Sequence, residues 1–166
     1  MPLCDACQRS KFTSRRMQGR GERTAEFVGQ KVITDMKGPI QINGLDGERY
    51  YQGFMDVQSR YIIHYNFRKK SSALINLRST LALPLFSGKL QYYHSDSAPE
   101  LLSKDIVALL RERGIKNTFS SPYKHTDNAQ IERSHRVIFE MAHAMLLHAQ
   151  LSMSFWCYAV DHSVCL

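Results

Sequence analysis

The 166-residue chain lacks any run of about 20 apolar residues, the length that a membrane-spanning helix requires. It also lacks an apolar segment after its N-terminus, an internal repeat and a low-complexity tract, so nothing in it predicts secretion or membrane insertion. Cysteine is scarce, with four residues, and without a secretory signal these are expected to be free thiols or metal ligands rather than disulfides.

Negative charge is in deficit, because 22 Lys and Arg stand against 15 Asp and Glu, for a net charge of +7. An excess of this size favours polyanionic partners, although a soluble protein that happens to be basic would look the same. The excess is uneven, since residues 1–31 carry seven basic and three acidic side chains. The length and the 43% of hydrophobic residues are typical of one globular domain.

The first regular part of the chain has the pattern of antiparallel strands. Residues 31–36 (KVITDM) are β-branched and are followed by Gly38-Pro39, which ends a strand. Residues 49–57 and 60–68 are aromatic and β-branched, and their close spacing predicts a hairpin. Residues 8–30 are polar and basic, which is typical of a linker or an extended arm.

From residue 71 onward, helical and strand patterns alternate. A mixed α/β sheet with helices packed on its faces is therefore predicted. The first predicted helix is capped by Ser71 or Ser72 and ends near Pro84, and a strand over 90–95 follows it. A capping box at Ser97–Glu100 opens the next helix, which Gly114 ends before a strand over 115–120. A capping box of Asp127 and Gln130 precedes a long helix over 128–148, and a further helix covers 152–164.

Three acidic residues occupy positions within or next to apolar elements, where a charged side chain is unusual in a globular protein. Asp35 lies inside an apolar strand, Asp96 directly follows the strand over 90–95, and Glu132 lies in the first two turns of the long helix. A buried carboxylate is costly unless it is paired or binds metal, and three together repel one another unless a cation is present. Oxygen ligands indicate Mg²⁺ or Mn²⁺, and two such ions suit chemistry at a phosphodiester.

Two other interpretations of these residues remain open at this stage. In the first, Asp35 makes a buried hydrogen bond, Asp96 caps the next helix and Glu132 merely favours a helix start. In the second, histidines join a carboxylate in a zinc or iron metallohydrolase site. The residues for that site would be His94, Asp96, His125 and His135.

The contexts of the three acids resemble those of a known family. Between Asp96 and Glu132 lie 35 residues, and the segments VITDMKGPI, YYHSDSAPEL and SPYKHTDNAQIERSHR resemble the DDE integrase catalytic core, specifically that of copia-type retrotransposon integrases within a Pol polyprotein. The segments FMDVQSRY and FWCYAV are similar to that family too. The resemblance covers nearly the whole chain, with Ala129 where relatives usually have Gly and Tyr158 where they frequently have Glu.

The resemblance implies a ribonuclease-H-like fold with a five-stranded mixed sheet flanked by helices. Asp35, Asp96 and Glu132 match the family's catalytic triad, which holds Mg²⁺ or Mn²⁺, expected as two ions. The implied reaction is attack by a 3′-hydroxyl end of element DNA on a phosphodiester of target DNA, without a covalent enzyme intermediate. A homo-oligomeric active complex and the nucleus of a eukaryotic host are also implied. The alternatives are a ribonuclease-H-like nuclease that uses only water and a non-catalytic DNA-binding fragment.

Basic side chains near Glu132 are candidate DNA contacts. Lys124 lies in the preceding loop, Arg133 is the next residue, and Arg136 is one turn further along the helix. A solvated, charged helix face would show the same pattern. Helical periodicity places His135, Arg136, Phe139 and His143 on the same side as Glu132.

Cys4 and Cys7 have the spacing of zinc ligands. The resemblance implies that such a pair closes a His/His/Cys/Cys domain, but only three residues precede Cys4, so Zn²⁺ is expected only with upstream histidines. We therefore expect residues 1–30 to be a remnant of that domain plus a basic linker, and residues 31–166 to be a catalytic core truncated at its C-terminus. Cys157 and Cys165 are expected to be buried, small apolar residues.

Overall fold

A five-stranded mixed sheet forms the centre of the protein, whose computed structural model describes residues 25–119 and 128–166. The strand order is β3-β2-β1-β4-β5, with β1 and β2 antiparallel, β2 and β3 antiparallel, and β1, β4 and β5 parallel. The predicted mixed sheet and hairpin are thus confirmed. The strands are β1 (Lys31–Lys37), β2 (Tyr50–Asp56), β3 (Ile62–Phe67), β4 (Tyr92–Ser95) and β5 (Lys116–Phe119).

Four α-helices accompany the sheet in the part of the chain that the structure describes. They are α1 (Ala73–Ala82), α2 (Lys104–Glu112), α3 (Asn128–His148) and α4 (Trp156–Cys165). Short 3₁₀ turns, Lys70–Ser72 and Met153–Phe155, precede α1 and α4. The bounds of α3 match the predicted long helix, and within the described ranges none of the helices is long and apolar enough to cross a membrane.

The helix after β4 begins later than the sequence predicts. The prediction that a capping box at Ser97–Glu100 opens this helix is wrong, because α2 begins at Lys104. Its N-cap is Ser103, whose hydroxyl accepts a hydrogen bond from the backbone N–H of Ile106 at 3.4 Å. The Asp96 carboxylate accepts the backbone N–H of Ala98 at 3.2 Å, and the Ala98 carbonyl accepts two further backbone N–H groups. These bonds close a separate turn ahead of the helix.

Two further residue-level predictions fail. Ser72 stands at the N-cap of α1, but its side chain makes no capping hydrogen bond, because its backbone (φ −72°, ψ −9°) already continues the preceding 3₁₀ turn. Cys157 is buried as expected, whereas Cys165 is exposed. Cys165 lies in the last turn of α4, on the side that faces away from α3 and the sheet.

Alternation along the strands assigns each side chain to one of two cores. Val32 of β1 belongs to the core under α1 and α2, while Ile33 belongs to the core under α3. By the same period, Asp35 and Lys37 point to the α3 face. The α1/α2 core contains Val32, Phe54, Ala73, Leu77, Leu81, Phe86, Leu90, Tyr93, Leu101, Ile106, Leu109, Leu110 and Ile115. The opposite core contains Ala25, Ile33, Tyr51, Met55, Val57, Ile131, Ile138, Ala142, Leu146, Trp156, Cys157, Ala159 and Val160.

Candidate active site

Strand register brings Asp35 and Asp96 side by side. In the parallel pairing of β1 with β4, Thr34 stands opposite Ser95. Asp35 and Asp96 are the next residues along the two chains, and paired strands lie about 4.8 Å apart. Side chains alternate between the two faces along a strand, and Tyr93 of β4 lies in the α1/α2 core. Asp96, three residues later, therefore lies on the opposite side, the α3 side, with Asp35.

Asp35 also anchors the long helix to the sheet. Its side chain is 19% exposed, and one oxygen accepts the backbone N–H of Met36 at 2.8 Å. The other oxygen lies 3.3 Å from Nδ1 of His135, on α3. Glu132 is exposed and lies one turn before His135, in the part of α3 that this contact joins to β1.

His135 occupies a niche that the opposing strand leaves open for it. The residue is 3% exposed, and the ring of Tyr51 meets it edge-on at a centroid distance of 4.8 Å. A Cβ atom at Gly53 would collide with Nε2 of His135, so only glycine leaves room for the imidazole. Helical periodicity placed His135 on the side of Glu132 but did not predict its burial. A glycine inside a strand is the one signal of such a close approach.

The electrostatics of the three acids are coupled. Desolvation raises the pKa of Asp96 above its ordinary value, the backbone N–H of Ala98 opposes the rise, and the charges of Asp35, Glu100 and Glu132 add to it. Burial, followed by the charge of Asp35, raises the pKa of Tyr51. The carboxylates therefore lie close enough to repel one another, as a cation-binding cluster does before a cation enters.

The donor chemistry of this cluster suits a hard divalent cation, because three carboxylates supply only oxygen. Within residues 25–119 and 128–166, however, no three His, Cys, Asp or Glu side chains are gathered closely enough to hold an ion. The competing histidine site has no support there either, because Nδ1 of His94 lies 2.9 Å from the hydroxyl of Thr118 and His135 faces Asp35. His125 lies outside the described residues.

The predicted DNA contacts divide between described and undescribed positions. Arg133 and Arg136 are exposed on α3, where Arg133 directly follows Glu132 and Arg136 directly follows His135. Lys124, Cys4 and Cys7 lie outside the described residues, so their roles stay predictions.

Known proteins with similar sequences are polyproteins of plant transposons. The chain is 28% identical over 169 residues to the retrovirus-related Pol polyprotein from transposon TNT 1-94 of Nicotiana tabacum, which covers 96% of this chain and 13% of the polyprotein. It is 30% identical over 125 residues to the retrovirus-related Pol polyprotein from transposon RE2 of Arabidopsis thaliana, covering 74% of this chain and 8% of that protein. The chain therefore spans a small part of these relatives. No family model matches it.

Solved structures with a similar fold come from retroviruses. A chain of a simian T-cell lymphotropic virus intasome superimposes with a TM-score of 0.69 at 16% identity, over 97% of this chain and 55% of that one. The HTLV-2 integrase catalytic core domain, in complex with magnesium and in a dimeric form, gives a TM-score of 0.60 at 14% identity, over 84% of this chain and 86% of that one. These likenesses confirm the expected ribonuclease-H-like fold.

Proposed function

We propose that this chain, which is related to the retrovirus-related Pol polyproteins of transposons and has the fold of a retroviral integrase catalytic core, is itself an integrase catalytic core. It joins 3′-hydroxyl ends of element DNA to target DNA. The hydroxyl oxygen forms a bond to a target phosphorus, and the 3′-oxygen of the target strand leaves. The observation that supports the proposal is the register that sets Asp35 beside Asp96, together with the contact of Asp35 with His135, one helical turn after Glu132.

Asp35, Asp96 and Glu132 are the residues that would hold divalent cations, Mg²⁺ or Mn²⁺. Support comes from their carboxylate chemistry, from the pKa of Asp96, which desolvation and then the charges of neighbouring carboxylates raise, and from the magnesium complex of the HTLV-2 domain. When bound, two such ions activate an attacking oxygen and stabilise a leaving oxygen at phosphorus.

The remaining roles belong to side chains around the acids. His135 orients the carboxylate of Asp35, since its ring is locked by Tyr51 and by the space at Gly53. Arg133 and Arg136 are exposed beside Glu132 and bind DNA phosphates. DNA binding should therefore weaken steeply as salt rises, because neutralised phosphates release their counterions.

The proposal is tested by an end-joining assay on Asp96→Asn. We expect joining of a 3′-hydroxyl DNA end to fall at least about 1,000-fold, because catalytic groups that act as a unit fail together. The matched control is Asp105→Asn, an exposed aspartate in the first turn of α2. Joining that survives Asp96→Asn at an unchanged rate would overturn the proposal.

The same assay separates the two alternatives. A nuclease that uses only water would cleave the DNA without joining the ends. A non-catalytic DNA-binding fragment would do neither, and Mg²⁺ would not raise its melting temperature. A competent acid cluster is stabilised by Mg²⁺ through linkage, and Asp96→Asn should remove that stabilisation.

A further inference from the structure

Lys37 ends β1 on the same face as the catalytic acids. It is two residues after Asp35, which is about 7 Å along an extended strand, and side chains at this spacing point the same way. Lys37 stands opposite Tyr51 in the antiparallel register, as Asp35 stands opposite Gly53. The lysine therefore continues the row that Asp35 begins.

An aromatic platform fixes the position of the ammonium group. Nζ of Lys37 lies 4.2 Å from the ring centroid of Phe139, which is on α3 one turn beyond His135. Phe139 is held from two sides, edge-on by Tyr51 at 5.3 Å and stacked by Trp156 at 6.2 Å. A cation over a ring that cannot turn is confined more closely than a lysine in open solvent.

Lys37 forms no salt bridge with a described residue. Among the ion pairs within 4.0 Å in the described part of the chain, such as Lys70–Glu100 and His135–Asp35, none includes Lys37. Desolvation lowers the pKa of Lys37, and the charges of Asp35 and Glu140 oppose the fall. The residue is exposed, so its ammonium keeps donors for an incoming anion.

We infer that Lys37 is a further DNA contact of this site, binding the phosphate next to the one at the acids. The inference rests on the proposed function. A lysine at this point offsets the repulsion between the acids and the DNA strand, and it acts as a point charge on a phosphodiester oxygen. Phe139 is the residue that positions it.

The test measures binding of a short blunt-ended DNA duplex without divalent cations, across a salt series. Lys37→Met keeps the aliphatic stem on Phe139 and removes the charge, so we expect affinity to fall about tenfold and the salt slope to drop by about one. Lys37→Arg should stay close to the unsubstituted chain. Lys37→Gln must agree with Lys37→Met, and the melting temperature of every variant checks the fold.

Lys116→Met is the matched control. Nζ of Lys116 also lies over a ring, 5.8 Å from the centroid of Tyr92. Tyr92 is the residue opposite Lys116 in the sheet and lies three positions before Ser95, away from the acids. Lys116→Met should bind DNA like the unsubstituted chain. In the joining assay, Lys37→Met should raise KM for DNA and leave kcat unchanged, as loss of uniform binding does.

The outcomes distinguish this inference from the proposed function. If the chain joins ends and Lys37→Met binds DNA as tightly as Lys116→Met, the Lys37 contact is wrong and the integrase proposal stands. If the chain binds DNA through Lys37 but never joins ends, the contact stands and the integrase proposal fails. If the chain does not bind DNA, both are wrong.

Discussion

The two faces of the sheet differ in the partners that their buried polar side chains contact. Under α1, three of them form a hydrogen-bonded chain, in which the amide of Asn76 donates to Gln52 at 3.0 Å and Gln52 donates to Thr34 at 3.3 Å, while the hydroxyl of Tyr93 has no partner within the described residues. Under α3, the hydroxyl of Tyr51 and both ring nitrogens of His135 lack a hydrogen bond within the described residues. The hydrogen-bonded chain stabilises the fold, whereas the buried imidazole of His135 lies 3.3 Å from Asp35, one of the proposed catalytic acids.

Leu77→Ala should give the largest effect and should touch stability alone. Leu77 is fully buried in the α1/α2 core, so truncation costs about 2–5 kcal/mol of unfolding free energy. Denaturant unfolding measures the loss. Joining per folded molecule should not change, because the proposed site lies on the other face. A loss of joining in excess of the unfolded fraction would erase the distinction between the faces.

His135→Ala should act in the opposite way, with the main loss in joining. A group that orients a metal-holding carboxylate is worth about 10- to 100-fold in activity. His135→Gln, which keeps an amide donor, should recover part of that loss. The control is His143→Ala, an exposed histidine two turns further along α3. Equal joining rates in both alanine variants would exclude an orienting role for His135.

Gly53→Ala should damage the same niche from the strand side. The added methyl collides with His135 and costs about 1–3 kcal/mol, with a fall in joining. In the double variant with His135→Ala the collision is gone, so the two stability losses should not add. Strict additivity in this cycle would show that the two residues do not meet. Gly88→Ala, where a Cβ meets nothing within 4 Å but φ is +69°, should cost some stability through backbone strain and leave joining per folded molecule intact.

The two cysteines of α4 give the smallest effect. Burial, followed by Glu48, raises the pKa of the Cys157 thiol from 9.0 to about 12, while Cys165 is exposed. At pH 8, peptide mapping should find iodoacetamide on Cys165 first and on Cys157 only after unfolding. The folded state favours the neutral Cys157 thiol, so its contribution to stability is present below pH 9 and is lost as pH rises toward 12. Equal labelling of both thiols in the folded protein would contradict this burial.

Local patterns in the sequence were enough for the sheet and the long helix, because strand alternation, turn residues and helical periodicity act over a few neighbouring residues. Asp127 of the predicted capping box lies outside the described residues. They failed after β4, where the Asp96 side chain competes for the backbone N–H of Ala98 and delays α2 to Lys104. They also missed the burial of His135, since its niche depends on Gly53, which lies 82 positions earlier in the chain on another element.

The identity of the acids followed from their sequence contexts, but their arrangement did not. That Asp35 and Asp96 are neighbours is a property of the β1–β4 pairing, and strand order is not a local quantity. Lys37 carried no sequence signal, because a lysine at a strand end is ordinary. Its significance depends on Phe139, Tyr51 and Trp156 packing from three separate elements.

The pairing of β1 with β4 makes the site tolerant of one kind of change and sensitive to another. Backbone hydrogen bonds between the two strands fix the positions of Asp35 and Asp96, so a loop in the stretch between them can change length without separating the pair. A slip of one residue in β4 would instead turn Asp96 to the opposite face of the sheet, away from Asp35, and so separate the two carboxylates.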